Sequence, residues 1–361
     1  MSNNEGDLGF LVEWGRALGL GHMFRCLALA DGLRRQARCW LMPSSESYEW
    51  LPAELLERSL LPIAGRPSEA AFLESTLLAI ERSGVSAVVV DYATVEPEYL
   101  RRLRVALPML RVIAFDDVGM PADVADVIIR PNLSDGVTGQ RGPVVYSGLA
   151  YCVLRPEFDA VLADSRRRDR ARVERLCVLS GGAGSGDRLV QVLRLLIHEY
   201  PTLQIDAVCG PAMEGIARVL ELVGGGDTIA LDTRVRRGNL TIHIAPRGFA
   251  KLLQGADLAI TAGGYSCFEL AAMGIPMIVV PHVAHQVQTA TRLRDLGCAE
   301  CVPCWGPETL QRLRNEVAWV LAHPDRAVSK AQTALALIDG QGRARVVRLI
   351  SEAVRRPSAE H

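Results

Sequence analysis

The sequence lacks a charge imbalance, a long hydrophobic run and a basic N-terminus. Its 40 Lys and Arg residues are matched by 41 Asp and Glu residues, giving a formal net charge of -1, so no electrostatic footprint for nucleic acid or an anionic membrane is present. The longest apolar runs, such as 87–90 and 276–281, are far too short to span a bilayer. The first residues lack the basic start of a signal peptide. We therefore expect a soluble, cytoplasmic protein with no nucleic-acid partner and no integral membrane segment.

The sequence also lacks the even, closely spaced cysteines of a disulfide framework. Nine cysteines in 361 residues indicate reduced thiols. Cys298, Cys301 and Cys304 resemble part of an iron–sulfur ligand run, but a fourth ligand is missing and 298–303 also fits a short strand. His282 and His285 have a spacing found in metal ligands, but the sequence offers no third ligand near them. We expect a structural role for these residues in preference to metal binding, and neither a metal nor a cofactor.

What the sequence does contain is an alternation of strand-like apolar runs and helical patterns, which predicts parallel βαβ units. The length suits two domains. The predicted strands of the first series are 8–12, 39–42, 87–90, 111–115 and 127–129, and those of the second are 176–179, 204–208, 240–244, 258–261 and 277–280. The charged run 164–175 between the two series is most simply a solvated helix or a linker. Each series opens with a glycine-rich turn, so the prediction is an α/β protein of two doubly wound domains that face one another across a cleft.

The first glycine turn carries a titratable side chain. Gly19 and Gly21 lie between the first strand and a helix predicted from 23 to about 35, and His22 stands at the mouth of this turn. Such turns let a backbone approach phosphate closely. Phe24 occupies the position of the third glycine of the dinucleotide fingerprint, so NAD and FAD are not favoured. A helix-capping histidine is the alternative explanation for His22.

Acidic residues follow two further strands of the first series. Asp91 ends one strand, and Asp116 and Asp117 end the next. Ligands bind at the carboxyl ends of strands in open α/β sheets, and an imidazole oriented by a carboxylate is an ordinary general base. The alternative is that these aspartates only cap helices or form turns. Which aspartate faces His22 is left open by the sequence.

The second series has a comparable turn at 261–269. Gly263 and Gly264 allow close approach of a diphosphate, Ser266 can donate to it, and the carboxylate of Glu269 can accept two hydrogen bonds from a ribose diol. The alternative is a glycine turn followed by a solvated glutamate.

Eight segments together carry a family resemblance over nearly the whole chain. They are GLGHMFRCLALA (19–30), VVDY (89–92), FDD (115–117), LRPEF (154–158), LSGG (179–182), AGGYSCFE (262–269), GIP (274–276) and IDGQGR (338–343). The chain resembles the UDP-sugar hydrolase of pseudaminic acid biosynthesis and its spore-coat polysaccharide relatives, which are similar to the lipid II-forming N-acetylglucosaminyltransferase.

The resemblance implies a GT-B fold. It implies a catalytic, sugar-binding domain over 1–160, a linker over 161–175 and a UDP-binding domain over 176–361, and leaves open whether the last helix crosses back. It assigns catalysis to His22 with Asp91 and Asp117. The substrate-binding set that it implies comprises Gly19, Gly21, Arg25, Tyr92, Gly181, Gly182, Ile244, Gly263, Gly264, Tyr265, Ser266, Glu269, His285 and Gln286.

The function expected from the resemblance is hydrolysis of a UDP-linked acetamido-deoxy sugar, with water attacking the anomeric carbon and Arg25 offsetting the charge of the leaving diphosphate. A glycosyltransferase that uses the same kind of donor is the first alternative, and a nucleotide-sugar-binding protein without catalysis is the second. The segments around Asp91, Gly182 and Gln286 depart from the family pattern, so the sugar and the choice between hydrolase and transferase stay open.

Overall fold

The computed structural model describes residues 7–15, 18–44, 59–65, 70–92, 96–116, 120–131, 136–138, 144–181, 184–225 and 230–355. The chain forms two compact units. Unit 1 comprises Met1–Leu154 together with Gln341–His361, and unit 2 comprises Arg155–Gly340. No helix in the described ranges is long and apolar enough to cross a membrane.

Unit 1 contains a mostly parallel sheet with helices on both faces. Its elements, numbered along the whole chain, are β1 (Leu8–Val12), α1 (Gly21–Leu33), β2 (Cys39–Pro43), β3 (Ser59–Leu60), α2 (Ala70–Ser83), β4 (Ala87–Asp91), α3 (Pro97–Ala106), β5 (Arg111–Phe115), β6 (Val127–Arg130), β7 (Gly136–Thr138), β8 (Val144–Ser147) and α12 (Gly342–Arg355). The strand order is β3-β2-β1-β4-β5-β6-β8-β7, with only β7 antiparallel to its neighbour among these strands.

The apolar core of unit 1 lies on both faces of this sheet because successive strand residues point to opposite sides. Phe10 and Val89 pack with α1 and α12 on one face. Leu11 and Val90 pack with Phe72 of α2 on the other. Strands buried on both faces explain the continuous apolar runs in the sequence.

Unit 2 repeats this architecture. Its elements are α4 (Leu162–Arg167), β9 (Arg175–Leu179), α5 (Gly186–Glu199), β10 (Gln204–Cys209), α6 (Ile216–Glu221), β11 (Thr233–Arg237), β12 (Leu240–Ile244), α7 (Phe249–Gln254), β13 (Leu258–Thr261), α8 (Ser266–Ala272), β14 (Met277–Val279), α9 (Ala284–Asp295), β15 (Glu300–Cys301), α10 (Thr309–Ala322) and α11 (Pro324–Leu337).

The sheet of unit 2 has the order β11-β12-β10-β9-β13-β14-β15, and β11 is antiparallel to β12. The parallel strands therefore follow the Rossmann order 3-2-1-4-5-6, and the first four parallel strands of unit 1 follow the same 3-2-1-4 order. The predicted α/β class with two doubly wound domains is confirmed for each unit. In this order the direction of winding reverses between the first and fourth strands, and ligands bind at such switch points.

The segment 161–175 is not the predicted linker. It folds onto unit 2, because the Ser165 hydroxyl donates to the carbonyl of Met273 at 2.9 Å and Arg170 donates to the carbonyl of Ala256 at 3.0 Å. Arg170 is buried, and burial lowers its pKa to about 10. The sequence prediction missed this because the charges of the run suggested solvent on every side.

The last helix, α12, belongs to unit 1 and packs against α1. The two helices approach closely at Gly32, where a Cβ atom would stand 2.6 Å from a methyl carbon of Val347. Val346 and Ile350 are fully buried in the core that they share with α1. The first domain therefore draws on both ends of the sequence.

Three polar side chains on neighbouring strands of unit 2 contact one another, and two of them, Asp206 and His243, are buried. The Asp206 carboxylate on β10 lies 2.7 Å from Nε2 of His243 and accepts from Nε of Arg175 at 2.5 Å. Burial alone would raise the pKa of Asp206, but the hydrogen bonds and charges of these two partners outweigh burial and lower it to about 2 from an ordinary 3.8. The ionised form therefore stabilises unit 2 above about pH 4, and this contribution is lost as the pH falls toward 2.

We expect Asp206→Asn to lower the free energy of unfolding of unit 2 by about 2 kcal/mol at neutral pH and by much less near pH 2. Hydrogen-exchange protection of the β10 amides across this pH range measures the effect. Asp187→Asn is the control, since Asp187 and its partner Arg218 are both exposed and such pairs contribute little. If the protection of the β10 amides fell with decreasing pH in the same way in wild type and in Asp206→Asn, the expectation would be contradicted.

Candidate functional site

The turn between β1 and α1 is shaped by glycine. Gly15 and Gly19 form an antiparallel bridge, with hydrogen bonds of 3.1 and 2.8 Å in the two directions. Gly19 has φ +81°, in the left-handed region that side chains rarely adopt. The helix begins directly afterwards at Gly21, so His22 lies in its first turn.

His22 faces the end of β4. It lies on one side of α1 with Arg25 and Cys26, three and four residues further along. Because β4 pairs with β1, its last residue, Asp91, comes within reach of this side of the helix. Nδ1 of His22 stands 2.7 Å from Oδ1 of Asp91; the histidine side chain is 18% exposed and the aspartate is fully buried.

Arg25 holds the other side of the Asp91 carboxylate. Its Nε donates to Oδ2 at 2.7 Å and its Nη2 donates to Oδ1 at 2.5 Å, while the Cys26 thiol lies 3.6 Å from Oδ2. The guanidinium also stacks over the Phe115 ring at 4.3 Å. Burial by itself would raise the pKa of Asp91, but the charges and hydrogen bonds of Arg25 and His22 hold it well below its usual range. Asp91 is therefore ionised.

This arrangement defines the chemistry available to His22. An ionised carboxylate only accepts hydrogen bonds, so Nδ1 of His22 donates to Asp91. Nη2 of Arg25 lies 3.2 Å from the same Nδ1 and likewise donates to Oδ1 of Asp91. In the neutral imidazole the lone pair then resides on Nε2. A histidine with a fixed tautomer and orientation can take a proton from a hydroxyl group or from water. Among the aspartates that the structure describes at these strand ends, Asp91 pairs with His22.

Two of the residues predicted to bind substrate in unit 1 lie in its interior. The side chain of Arg25 is 2% exposed and pairs with Asp91. Tyr92 is buried against the rings of Phe72 and Tyr99, at centroid distances of 5.8 and 6.4 Å. Both residues point inward because they follow the buried faces of α1 and β4.

The remaining acidic strand end is used in another way. The Asp116 carboxylate accepts from Nε of Arg130 at 2.7 Å and from the Met120 amide at 2.6 Å. It therefore holds the chain at Met120 and Arg130, beyond the end of β5. Asp117, predicted to be catalytic, lies outside the described residues, as does Gly182.

The switch point of unit 2 has two glycine positions that follow β9 and β13. Gly181 has φ +83° and Gly263 has φ +84°. A Cβ atom on Gly263 would lie 3.1 Å from the carbonyl oxygen of Gln286, so the turn packs tightly against α9. Among the described residues other than its chain neighbours, none has an atom within 4 Å of the position that a Cβ of Gly264 would take. A ligand can therefore approach the backbone at Gly264 without displacing protein atoms.

The residues after this turn begin α8. Ser266 is its first residue, and the preceding Tyr265 packs edge-on against Phe268 with ring centroids 5.4 Å apart. The Gln286 side chain accepts from the His282 amide at 2.8 Å. The predicted positions Gly263, Tyr265, Ser266 and Gln286 thus cluster at one edge of the unit 2 sheet.

His282 is held in a nonpolar setting beside this cluster. Its ring packs edge-on against Trp305 at 5.3 Å, and its carbonyl accepts from Arg188 at 3.1 Å. Burial, together with the Arg188 charge, lowers the pKa of His282 to about 4, so it is neutral at physiological pH. The side chain of His285 lies outside the described residues. Across the ranges that the structure covers, no three His, Cys, Asp or Glu side chains are grouped to hold a metal ion.

The end of β12 carries local backbone strain. Ile244 is fully buried, and the next residue, Ala245, has φ +42°. A non-glycine residue in this region costs on the order of 1 kcal/mol. Its amide donates to the carbonyl of Cys209 at 2.9 Å, which holds this conformation.

Sequence reasoning missed Arg155. This residue follows directly after unit 1, within the LRPEF segment, and its side chain pairs with Glu269 through contacts of 2.7 and 3.1 Å. Glu269 is buried, and is therefore not the solvated glutamate of the alternative interpretation. A contact between residues 114 positions apart has no local sequence pattern, so the LRPEF resemblance was the only available signal.

Comparisons with known proteins agree with this architecture. Residues 197–341 match the glycosyltransferase family 28 C-terminal domain. The spore coat polysaccharide biosynthesis protein SpsG of Bacillus subtilis is 23% identical over 96% of this chain and 98% of its own length. The UDP-N-acetylglucosamine–N-acetylmuramyl-(pentapeptide) pyrophosphoryl-undecaprenol N-acetylglucosamine transferase of Clavibacter sepedonicus is 27% identical over 94% of this chain and 95% of its own length.

Among solved structures, MurG of Acinetobacter baumannii superimposes with a TM-score of 0.59 at 20% identity, covering 96% of this chain and 99% of that one. Likeness at this identity speaks for the fold. The predicted GT-B fold class is therefore confirmed, and the chain is similar to glycosyltransferase-like enzymes.

Proposed function

We propose that the protein transfers a sugar from a UDP-linked acetamido-deoxy donor to an acceptor hydroxyl in surface polysaccharide biosynthesis. The observation that carries the proposal is the contact of 2.7 Å between His22 and Asp91 at the switch point of unit 1. Arg25 keeps the Asp91 carboxylate ionised and fixes its orientation. The match to a glycosyltransferase domain and the names of the two relatives support it.

In the proposed reaction His22 acts as the general base. Its Nε2 takes the proton of the acceptor hydroxyl while the acceptor oxygen bonds to the anomeric carbon of the donor sugar. The bond from this carbon to the β-phosphate oxygen breaks, and its electron pair leaves with UDP. Asp91 stabilises the imidazolium that forms, because its carboxylate is ionised and already accepts from Nδ1.

Unit 2 is proposed to hold the nucleotide. By analogy with the family, Gly264, Tyr265 and Ser266 meet the diphosphate, Glu269 meets the ribose, and the backbone around Ile244 meets the uracil. The open space at Gly264 and the left-handed Ala245 next to Ile244 support these assignments. Gly181, Gly182, Gly263, His285 and Gln286 remain proposed contacts around the diphosphate and sugar, and Gly19 and Gly21 remain proposed contacts in unit 1.

Hydrolysis is the second candidate function. The same His22 lone pair could deprotonate water in place of an acceptor hydroxyl, as the resemblance to the hydrolase of pseudaminic acid biosynthesis implies. Transfer is favoured over hydrolysis because the relative from Clavibacter sepedonicus is named as a transferase and the matched domain is a glycosyltransferase domain.

The test is UDP release from UDP-N-acetylglucosamine and from a UDP-linked diacetamido-trideoxy hexose, first in water alone and then with soluble saccharide acceptors. We expect slow release in water and an increase of about tenfold or more when an acceptor of the right class is present, since the bound acceptor supplies an oriented nucleophile. Calorimetric titration with UDP runs in parallel. Fast release of free sugar without acceptor would move the assignment to the hydrolase, and absence of UDP binding would remove both.

A further inference from the structure

Arg155 and Glu269 form a buried, two-pronged ion pair in unit 2. Nε of Arg155 donates to Oε1 of Glu269 at 2.7 Å, and Nη2 donates to Oε2 at 3.1 Å. The side chains are 18% and 4% exposed. Nε and Nη2 thus donate to separate carboxylate oxygens. This bidentate geometry fixes the orientation of the Glu269 carboxylate as well as pairing its charge.

The guanidinium is itself held from other directions. It stacks over Phe249 at 4.6 Å and over Phe158 at 5.4 Å, and its Nη1 pairs with Glu157 at 3.1 Å. Glu157 in turn accepts from the amide of Ala250 in α7 at 3.3 Å. Arg155 therefore ties the segment after β12, next to the proposed uracil position, to the carboxylate on α8.

The guanidinium of Arg155 is charged. Burial alone would lower the pKa of Arg155, but the carboxylate of Glu269 outweighs burial and raises it. Each oxygen of an ionised carboxylate has two lone pairs, and Arg155 uses one on each oxygen. One lone pair on each oxygen is left for another donor, and the two lie in a geometry fixed by the bidentate contact. The 2′- and 3′-hydroxyls of a ribose present two such donors.

We propose that Arg155 is a positioning residue that presets Glu269 to accept both hydroxyls of a ribose, so that unit 2 selects ribonucleoside over 2′-deoxyribonucleoside diphosphates. The inference rests on the proposed function, since it requires that unit 2 binds a nucleoside diphosphate. Without the two hydrogen bonds from Arg155, the Glu269 side chain gains rotamer freedom, and fixing its orientation on binding then costs free energy.

The test is calorimetric titration with UDP and with 2′-deoxy-UDP. Wild type is expected to prefer UDP by about tenfold or more, because loss of one hydroxyl leaves a buried acceptor unpaired. In Arg155→Met, UDP affinity should fall to near that of 2′-deoxy-UDP, and Glu269→Gln should behave alike. The double variant should be no weaker than either single variant, because the two side chains act as a unit.

Arg155→Lys keeps the positive charge but cannot make the bidentate contact, so it should recover only part of the preference for UDP over 2′-deoxy-UDP. This variant also replaces Arg155→Met in the test if the methionine variant does not fold. Arg168→Met is the matched control, since Arg168 pairs with Asp257 in the same unit at 2.7 Å and should leave the preference unchanged. A merely structural role for Arg155 would lower the affinity for both nucleotides by the same factor.

An unchanged preference in both Arg155 variants, or equal losses for both nucleotides, would overturn the inference and leave the proposed function standing. Equal affinity of wild type for UDP and 2′-deoxy-UDP would do the same. Failure of wild type to bind either nucleotide would remove the proposed function itself. The wild-type titration with UDP alone therefore separates failure of the proposed function from failure of the inference.

Discussion

Replacing His22 by alanine is expected to lower kcat by about a hundredfold or more, since general base catalysis contributes on this order. The affinity for UDP should change little, because the proposed nucleotide contacts lie in unit 2 and His22 lies in unit 1. Steady-state kinetics with the active donor and acceptor measures the first effect, and calorimetric titration with UDP measures the second. The variant should also lose the acid limb of the pH–rate profile, which reports protonation of the base.

The matched control for His22 is His198→Ala. His198 is exposed near the end of α5, so its loss tests whether removing any histidine affects the rate. Turnover of His22→Ala within a few-fold of wild type would exclude the assigned role and leave a binding protein or a different base. A parallel loss of UDP affinity would instead indicate that His22 acts in binding.

The variant Asp91→Asn is expected to lose both turnover and stability. The neutral amide removes the charge that Asp91 places beside the buried Arg25 guanidinium, and breaking a buried pair in this way costs about 3–5 kcal/mol. It also removes the carboxylate that fixes the tautomer of His22, so kcat should fall by about a hundredfold or more per folded molecule. Denaturant unfolding and kinetics on the folded fraction measure the two losses separately.

Asp116→Asn separates the catalytic effect from the structural one. Asp116 is also a buried aspartate at a strand end and also pairs with an arginine, Arg130, whereas the aspartate that pairs with His22 is Asp91. It should lower stability while kcat per folded molecule stays within a few-fold of wild type. Equal losses of turnover in both variants would show that the Asp91 effect is only structural.

The strands that the sequence predicted best are those buried on both sides. Strands β1, β5, β12 and β13 have the predicted bounds. Every residue of β1, β12 and β13 and all but the first of β5 are buried, and their apolar residues lie at or next to the ends of each strand. The missed strands lie at or near edges. Thr233–Arg237 carries three arginines, and an edge strand with one exposed face needs no apolar run. Its pairing with β12 depends on the fold of the whole unit.

The candidate site divides in the same way. His22 and Asp91 could be predicted, because each follows a recognisable strand and the Rossmann order makes these strands neighbours. The direction in which the Arg25 side chain points could not be predicted, because an arginine on the inward side of a helix is recognised only once its buried counter-ion is known. Arg155 was hidden for the same reason, because its partner Glu269 is distant in sequence.

Unit 1 is discontinuous in sequence, and this has a consequence for biosynthesis. A nascent chain leaves the ribosome with its N-terminus first, so β1 to β8 emerge long before α12. Val346 and Ile350 of α12 complete the core beside α1. Unit 2 is continuous from Arg155 to Gly340 and can finish its own core earlier in translation. Unit 1 therefore exposes an apolar strip along α1 until α12 has been synthesised, and any truncation before α12 leaves that strip exposed permanently.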